Sequence, residues 1–539
     1  MLCSPLPGPP MDADLRSIQE ARAALRAADA AWHSYKTFEQ DAVDRVVAAM
    51  CEAGAREAER LGRLAHEETG FGRPESKTEK NLFATRTLHE RMRGMRTCGI
   101  VRKTDDGAVW EVATPMGIVA ALIPSTNPTS TAMYKAIIAA KARCAVVMSP
   151  HPRAARCTAE ALRVVAEAAY GAGAPEGLFA CLTEVTLEGT DALLEDPLTS
   201  VILATGGSAM VRAAYSKGKP AYGVGSGNVP VWVDRSANVP KAAADILAGV
   251  SFDWGTLCST ERSVVADAPV RSKLVEELKA RGAHFCSPEE ADRLRRTVTH
   301  GRGLNVDIVG QSPRRIAEMA GFAVPEATQA LVAEVERVGK DEPLSMETLS
   351  PILSFYTADG WEAGCDRCIE ILRFGGIGHT LALHATSERV IERFALEKPA
   401  MRIVVNTVAA LGSVGLTTAL FPAMTLGPGT IGGSIISDNV SPLHLLNVKR
   451  VAFETAPLTT AQGTATGAAR TTPPARGAGA SGDGSWMEEI EARLRARAGN
   501  APVSASPERA RREEGSPSAS ALPLPDAQIE ALIRRHRKG

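Results

Sequence analysis

The sequence predicts an α/β fold of more than one domain, and three observations carry that expectation. The chain has 539 residues, more than one compact core holds. From residue 117 onward, short apolar segments alternate with helical stretches at βαβ spacing, the signature of a parallel sheet. Apolar residues make up 45% and charged residues 23%, the balance of an ordinary soluble globular protein. The net charge of -1 leaves no electrostatic case for nucleic acid or an anionic membrane as the main partner. No run of about 18 apolar residues occurs, so no membrane span is expected.

Residues 1–11 begin MLCSPLPGPP, without the basic start and apolar stretch of a secretory signal, and read as disordered leader; Met11 is a second candidate start. From residue 12 to about 98 the pattern is helical: Leu15, Ile18, Ala21 and Leu25 share one face, as do Val43, Val46, Val47 and Met50. A β-prone stretch at 100–112 turns at Asp105-Asp106-Gly107. The alternation then runs strand 117–124, helix 131–142, strand 145–149, helix 154–172, strand 200–204 and a helix from Ser208. A second α/β region starts near Val229. It carries strands at 231–233, 263–266, 351–356, 380–384 and 403–406, with helices at 242–251 and 360–373.

After about Val451 the composition changes. Residues 455–484 are rich in Thr, Ala and Gly, and residues 499–525 in Ser, Pro and Arg; neither can bury enough apolar surface to fold alone. Two amphipathic helices interrupt this tail, at 485–498 (Met487, Ile490, Leu494) and 526–538 (Ile529, Leu532, Ile533). Helices this short are marginal in isolation and read as docking elements.

Ten cysteines are scattered without framework spacing, which reads as reduced thiols of a cytoplasmic protein. Cys365 and Cys368 form a lone CxxC, weak evidence for zinc without a second pair, and no metal is expected. Cys258 follows a helix and precedes a strand, where a thiolate can add to an aldehyde carbonyl; on count alone, a small core residue is the better fit. Asn127, immediately after a strand, offers a carboxamide to the resulting oxyanion, or simply a turn before Pro128. Ala204-Thr205-Gly206-Gly207-Ser208 follows an apolar strand and opens a helix, a setting for a pyrophosphate, although it is not a GxGxxG fingerprint. Gly223-Val224-Gly225-Ser226-Gly227-Asn228 permits close backbone approach to a ligand, or a hinge. Glu347 offers a carboxylate to ribose hydroxyls or to solvent, and His379 an imidazole that lines an active site or bonds structurally.

Taken in order, the segments 124–130, 149–154, 204–207, 223–230, Cys258, 347–351, 375–380 and 438–445 resemble the CoA-acylating branch of the aldehyde dehydrogenase superfamily. The resemblance covers about residues 12–450. It is closest to the acetylating half of bifunctional aldehyde–alcohol dehydrogenases, with microcompartment acetaldehyde and propionaldehyde dehydrogenases similar. It implies an aldehyde dehydrogenase-like fold: a Rossmann-type cofactor domain at 12–228 with a bridging hairpin near 100–113, an α/β catalytic domain at 229–425, a return segment at 426–452 that serves oligomerisation, and a tail at 453–539. It implies Cys258 as nucleophile and Asn127 as oxyanion donor. Ser125, Thr126, Asn127, Pro128, Thr129, Ser130, Gly206, Gly207, Gly225, Glu347 and Leu426 would contact NAD, with NADP left open because Arg153 lies beside the expected adenosine ribose. His379 would line the active site.

The resemblance further implies a short-chain aldehyde, coenzyme A as co-substrate and a homo-oligomer. Hydrolytic relatives carry a Glu before Leu-Gly-Gly that activates water; residues 223–228 hold no carboxylate, which favours acyl transfer to CoA. No alcohol dehydrogenase half follows residue 451, so a monofunctional enzyme is expected, and the tail resembles an encapsulation peptide for a bacterial microcompartment shell. Three rivals stand beside this reading: a non-catalytic scaffold, an acyl-phosphate reductase, and an acylating enzyme for a functionalised aldehyde such as sulfoacetaldehyde. An acyl phosphate needs a cationic pocket, and the sequence around Cys258 offers no cluster of Arg or Lys.

Overall fold

The computed structural model describes residues 12–456, apart from Arg302 and the side chain of Ser208. The leader at 1–11 and the amphipathic helices expected at 485–498 and 526–538 lie outside the described residues.

Two parallel sheets organise the chain. The first has five strands in the order Phe179–Cys181, Ala145–Pro150, Ile118–Ile123, Thr199–Thr205, Ala221–Val224. Every pairing is parallel, and Ile118–Ile123 and Ala145–Pro150 are buried along their whole length, as strands covered by helices on both faces must be. The strand order reverses between Ile118–Ile123 and Thr199–Thr205, so the loops leaving these two strands diverge and open a crevice at the carboxyl edge. That topological switch point is where a doubly wound sheet takes its ligand.

The second sheet has seven parallel strands, with Glu261–Asp267 at its centre between Ile352–Ala358 and Val229–Val233. A third sheet is antiparallel: Ile100–Lys103 and Val109–Pro115 form a hairpin, and Leu446–Ala452 pairs with the second of them. The hairpin turns at Gly107, whose φ of 71° suits the left-handed corner. Its third strand, supplied from the end of the described chain, has no counterpart in the sequence reading, because a strand paired across more than 300 positions leaves no local signal.

The helical N-terminal region holds helices Ala13–Tyr35, Gln40–Arg56, Ala58–Thr69 and Pro74–Leu82. The second buries its expected apolar stripe, Val43, Val46, Val47 and Met50, whereas the first buries Ala21 and Leu25 of its stripe but leaves Ile18 half-buried and Leu15, in its first turn, exposed. Helix Pro74–Leu82 differs: its buried residues are Ser76, Lys77, Lys80 and Asn81, all polar. Helix Pro128–Lys141 begins three residues earlier than the periodicity placed it, because Pro128 occupies the first helical position, where its missing N–H costs nothing. Among the described residues no helix is long and apolar enough to cross a membrane.

Candidate active site

A cavity of about 530 Å³ opens at the switch point of the five-stranded sheet. Ser125, Thr126 and Asn127 enter it from the end of strand Ile118–Ile123, and Gly206 and Gly207 from the end of strand Thr199–Thr205. Gly225 comes from the loop after Ala221–Val224, and Cys258 and Glu347 from the seven-stranded unit. Leu426 closes one wall, its loop tied to the first sheet by a 3.1 Å bond between the hydroxyls of Thr205 and Thr425. Residues more than 200 positions apart in sequence therefore share one crevice.

Not every expected residue lines it. Pro128, Thr129 and Ser130 are buried in the first turn of helix Pro128–Lys141, and Thr129 bonds the side chain of Asn81 at 2.8 Å. His379 also stands behind the wall rather than in it. It is buried, its Nδ1 is 3.0 Å from the Thr380 hydroxyl, and its Nε2 has no hydrogen-bond partner. Burial, with Arg402 nearby, lowers its pKa to about 3, so the ring is neutral.

Cys258 lies on the cavity wall, partly exposed, in a loop that cannot be moved freely. Gly227 presses against its carbonyl so closely that an added Cβ would sit 2.0 Å from that oxygen. Burial pushes the thiol up to about 12, the Glu347 carboxylate adds to the rise, and Arg402 and Arg262 oppose it. The sequence reading singled out neither guanidinium; it found no cluster of Arg or Lys near Cys258. Yet neither lines the cavity. Arg262 donates to the carbonyl oxygens of Ser350 and Gly255, and Arg402 to those of Ser437, His379 and Gly427. They fix backbone and tilt the local potential without offering a free cationic pocket.

Glu347 accepts a 3.1 Å bond from the Gly227 N–H, which ties the carboxylate to the loop beneath Cys258. Burial raises its pKa to about 7, against the pull of Arg262 and the Gly227 amide. Among the described residues that line the cavity it is the only carboxylate.

Asn127 precedes helix Pro128–Lys141 without capping it through its side chain. Its Nδ2 lies 3.2 Å from the Thr256 carbonyl oxygen, and its Oδ1 2.5 Å from Lys80 Nζ. Lys80, Lys77 and Asp253 form a buried charged cluster against this residue. Burial would raise the Asp253 carboxyl, but Lys77, Lys80 and the Thr256 hydroxyl hold it below the usual range. Asp253 is also strained, with φ of 48°. One signal in the sequence could have found this cluster: residues 74–82, within the helical N-terminal region, carry no apolar stripe, so burial of that helix requires polar partners.

A nicotinamide dinucleotide fits this crevice on two grounds: the diverging strand ends, and the Gly206-Gly207 turn, which lines the cavity and opens helix Ser208–Tyr215, a helix start being a natural seat for a pyrophosphate. A partly exposed thiol, a carboxamide and a lone carboxylate around one void are the parts of nucleophilic catalysis on a carbonyl.

Comparison with known proteins gives the same direction. The Aldehyde dehydrogenase family matches residues 11–293, just over half of the chain. The bifunctional aldehyde-alcohol dehydrogenase AdhE of Escherichia coli is 38% identical over 441 residues, 81% of this chain and 50% of that one. The chain thus spans about half the length of the curated relatives it first matches. An acetylating aldehyde dehydrogenase structure from Geobacillus thermoglucosidasius is 48% identical, with a TM-score of 0.82 over 83% of this chain and 99% of its own. A Rhodopseudomonas palustris propionaldehyde dehydrogenase with bound CoA and an acylated cysteine is 28% identical, with a TM-score of 0.72 over 80% and 97% of the two chains.

Proposed function

The chain belongs to the aldehyde dehydrogenase family, and from that membership we propose that it converts a short-chain aldehyde and coenzyme A into an acyl-CoA with reduction of NAD. The observation that carries the proposal is the convergence of Cys258, Asn127 and Glu347 on one crevice at the switch point.

Cys258, once deprotonated, adds to the aldehyde carbon: a carbon–sulfur bond forms and the carbonyl π pair moves to oxygen. Asn127 Nδ2 and the Cys258 backbone N–H hold that oxyanion. A nicotinamide, when bound, would supply the hydride acceptor, leaving the acyl group on Cys258 as a thioester. Ser125, Thr126, Gly206, Gly207, Gly225 and Leu426 would hold the dinucleotide, with Arg153 at the nucleotide end leaving NADP as an alternative. The five-stranded unit serves as the cofactor domain and the seven-stranded unit as the catalytic domain.

CoA attacks the thioester more readily than water does, because a thiolate needs no general base of its own. The loop 223–228 lacks a carboxylate to activate water, and Glu347 is engaged by Gly227, which supports acyl transfer over hydrolysis. Apart from uncharged hydroxyl side chains and His151, the rest of the wall is largely apolar, with Phe71, Val306, Val309 and Met424 among it, and Arg153 is the one Arg or Lys among the described lining residues. That supports acetaldehyde or propionaldehyde over an anionic substrate such as sulfoacetaldehyde, which would need a counter-charge beside the thiol. The proposal extends to a homo-oligomer in the cytoplasm, with the tail at 453–539 as an encapsulation peptide for a microcompartment shell.

An aldehyde panel with CoA and NAD, read as NADH absorbance against Cys258→Ala, tests the reading. Fastest turnover of acetaldehyde or propionaldehyde is expected; a marked preference for an anionic aldehyde, or activity that survives Cys258→Ala, overturns it.

A further inference from the structure

Lys80 is buried, charged and aimed at a residue of the site, yet no step above uses it. Its ammonium carries three N–H donors and no acceptor. Three acceptors meet it: Asn127 Oδ1 at 2.5 Å, the Asp253 carboxylate, and Thr256 Oγ1 at 3.4 Å. The Thr256 hydroxyl gives its own proton to Asp253, so it can only accept from Lys80. The donors and acceptors of this cluster interlock in one consistent arrangement.

The consequence falls on Asn127. A carboxamide has one accepting and one donating end, of nearly equal shape. Only the oxygen end can face an ammonium. Nδ2 must then point the other way, and there it lies 3.2 Å from the Thr126 hydroxyl oxygen and 3.2 Å from the carbonyl oxygen of Thr256, two residues before Cys258, contacts that an oxyanion would have to share or replace. The helix behind Asn127 does not set this orientation, because its side chain makes no cap bond. A flipped amide would aim oxygen lone pairs where negative charge develops and would repel it.

We propose that Lys80 is a positioning residue that fixes the orientation of the Asn127 carboxamide, so that its N–H bonds, not its oxygen, face the oxyanion formed at Cys258. The inference rests on the assignment of Asn127 as the oxyanion donor. Asp253 and Lys77 make it testable in a folded protein. Lys77 Nζ lies 3.2 Å from Asp253 Oδ2, so loss of Lys80 leaves a one-to-one ion pair in place of a bare buried charge.

A double-mutant cycle in the full chain decides the matter, with kcat measured for native enzyme, Lys80→Met, Asn127→Ala and the pair. Each single variant is expected to lose about 10²-fold in kcat, the scale of one oxyanion donor, with KM for NAD unchanged. The double variant should be no slower than Asn127→Ala, since Lys80 then has no amide to orient. Native kcat in Lys80→Met, or losses that multiply in the double variant, overturns the proposal. Native kcat in Asn127→Ala overturns the oxyanion assignment instead. NADH fluorescence titration reports whether each variant keeps a folded cofactor site. Where Lys80→Met fails that check, Lys80→Gln, which keeps an N–H donor, decides: recovery to within about tenfold of native kcat supports the role, and a folded variant as slow as Asn127→Ala ends it.

Discussion

Glu347 and Cys258 face the same cavity, and the negative charge of the carboxylate raises the pKa of the thiol. Burial is the larger cause of that rise, but the carboxylate is the part that mutation can remove. Glu347 itself is held up at about 7, so its charge acts on the thiol only above neutrality. Glu347→Gln should therefore speed alkylation of Cys258 by iodoacetamide at about pH 8.5 and leave the rate at about pH 6 unchanged. Peptide mapping isolates the Cys258 signal from the other thiols. Equal rates for the two proteins at alkaline pH would show that the carboxylate does not act on the sulfur.

A second prediction concerns the fate of the acyl group. With no carboxylate on the loop 223–228 and Glu347 tied to Gly227, water lacks a positioned base. Omitting CoA should leave less than about one-hundredth of the NADH-forming rate after the first turnover, the scale of a missing general base. A burst of one NADH per active site followed by near silence is the expected trace. Steady turnover at the CoA-supported rate would identify a hydrolytic enzyme.

Gly227 gives a third. Its backbone approaches the Cys258 carbonyl and the His379 ring together, and a Cβ would stand 2.0 Å from the first and 3.2 Å from Nδ1 of the second. The contact with backbone cannot be relieved by rotating a side chain. Gly227→Ala should displace the cysteine loop, cut kcat more than it raises KM, and cost about 1–3 kcal/mol of stability as overpacking does. Denaturant titration and steady-state kinetics read both effects; a variant with native values in each would show that the loop has slack.

The parts of this architecture that were legible share a feature: each has a local chemical or periodic signature. Ile118–Ile123 and Ala145–Pro150 are apolar runs with turn residues after them, and they form the expected parallel pair. The loop residues Asn127, Gly206, Gly225 and Cys258 sit at strand or helix ends, and topology brings them to one crevice. Lys80, Asp253, Arg262 and Arg402 could not be found that way. Each is a charged residue in an unremarkable stretch, buried only because a partner arrives from far along the chain: Lys80 and Asp253 are 173 positions apart. Glu261 was invisible for the same reason, since the amide it bonds belongs to Ala409. His379 shows the converse. The family resemblance implied that it lines the active site, but the neighbouring glycines pack tightly and leave the ring enclosed, as the structural alternative had it.

Glu261 carries the last prediction. It begins the strand that follows Cys258 and is fully buried. One carboxyl oxygen accepts from the Ala409 N–H at 2.6 Å, and the other has no partner. Burial raises its pKa from 4.5 to about 8. In the unfolded chain the group ionises near 4.5, whereas in the fold it stays protonated up to about 8. The folded state thus binds the extra proton, and the contribution to stability is complete below pH 4.5 and is lost as pH rises toward 8. Held neutral at pH 7, the group costs on the order of 3 kcal/mol relative to a side chain that never ionises. Glu261→Gln supplies that side chain: its oxygen can accept from Ala409, and its amide nitrogen inherits a position already without a partner. The variant should match the native protein in stability near pH 4.5 and exceed it progressively toward pH 8, as read by denaturant midpoints across that range. A difference that stays constant with pH would mean that Glu261 ionises in the fold as it does in the unfolded chain, with the neighbouring Arg262 guanidinium as its counter-charge.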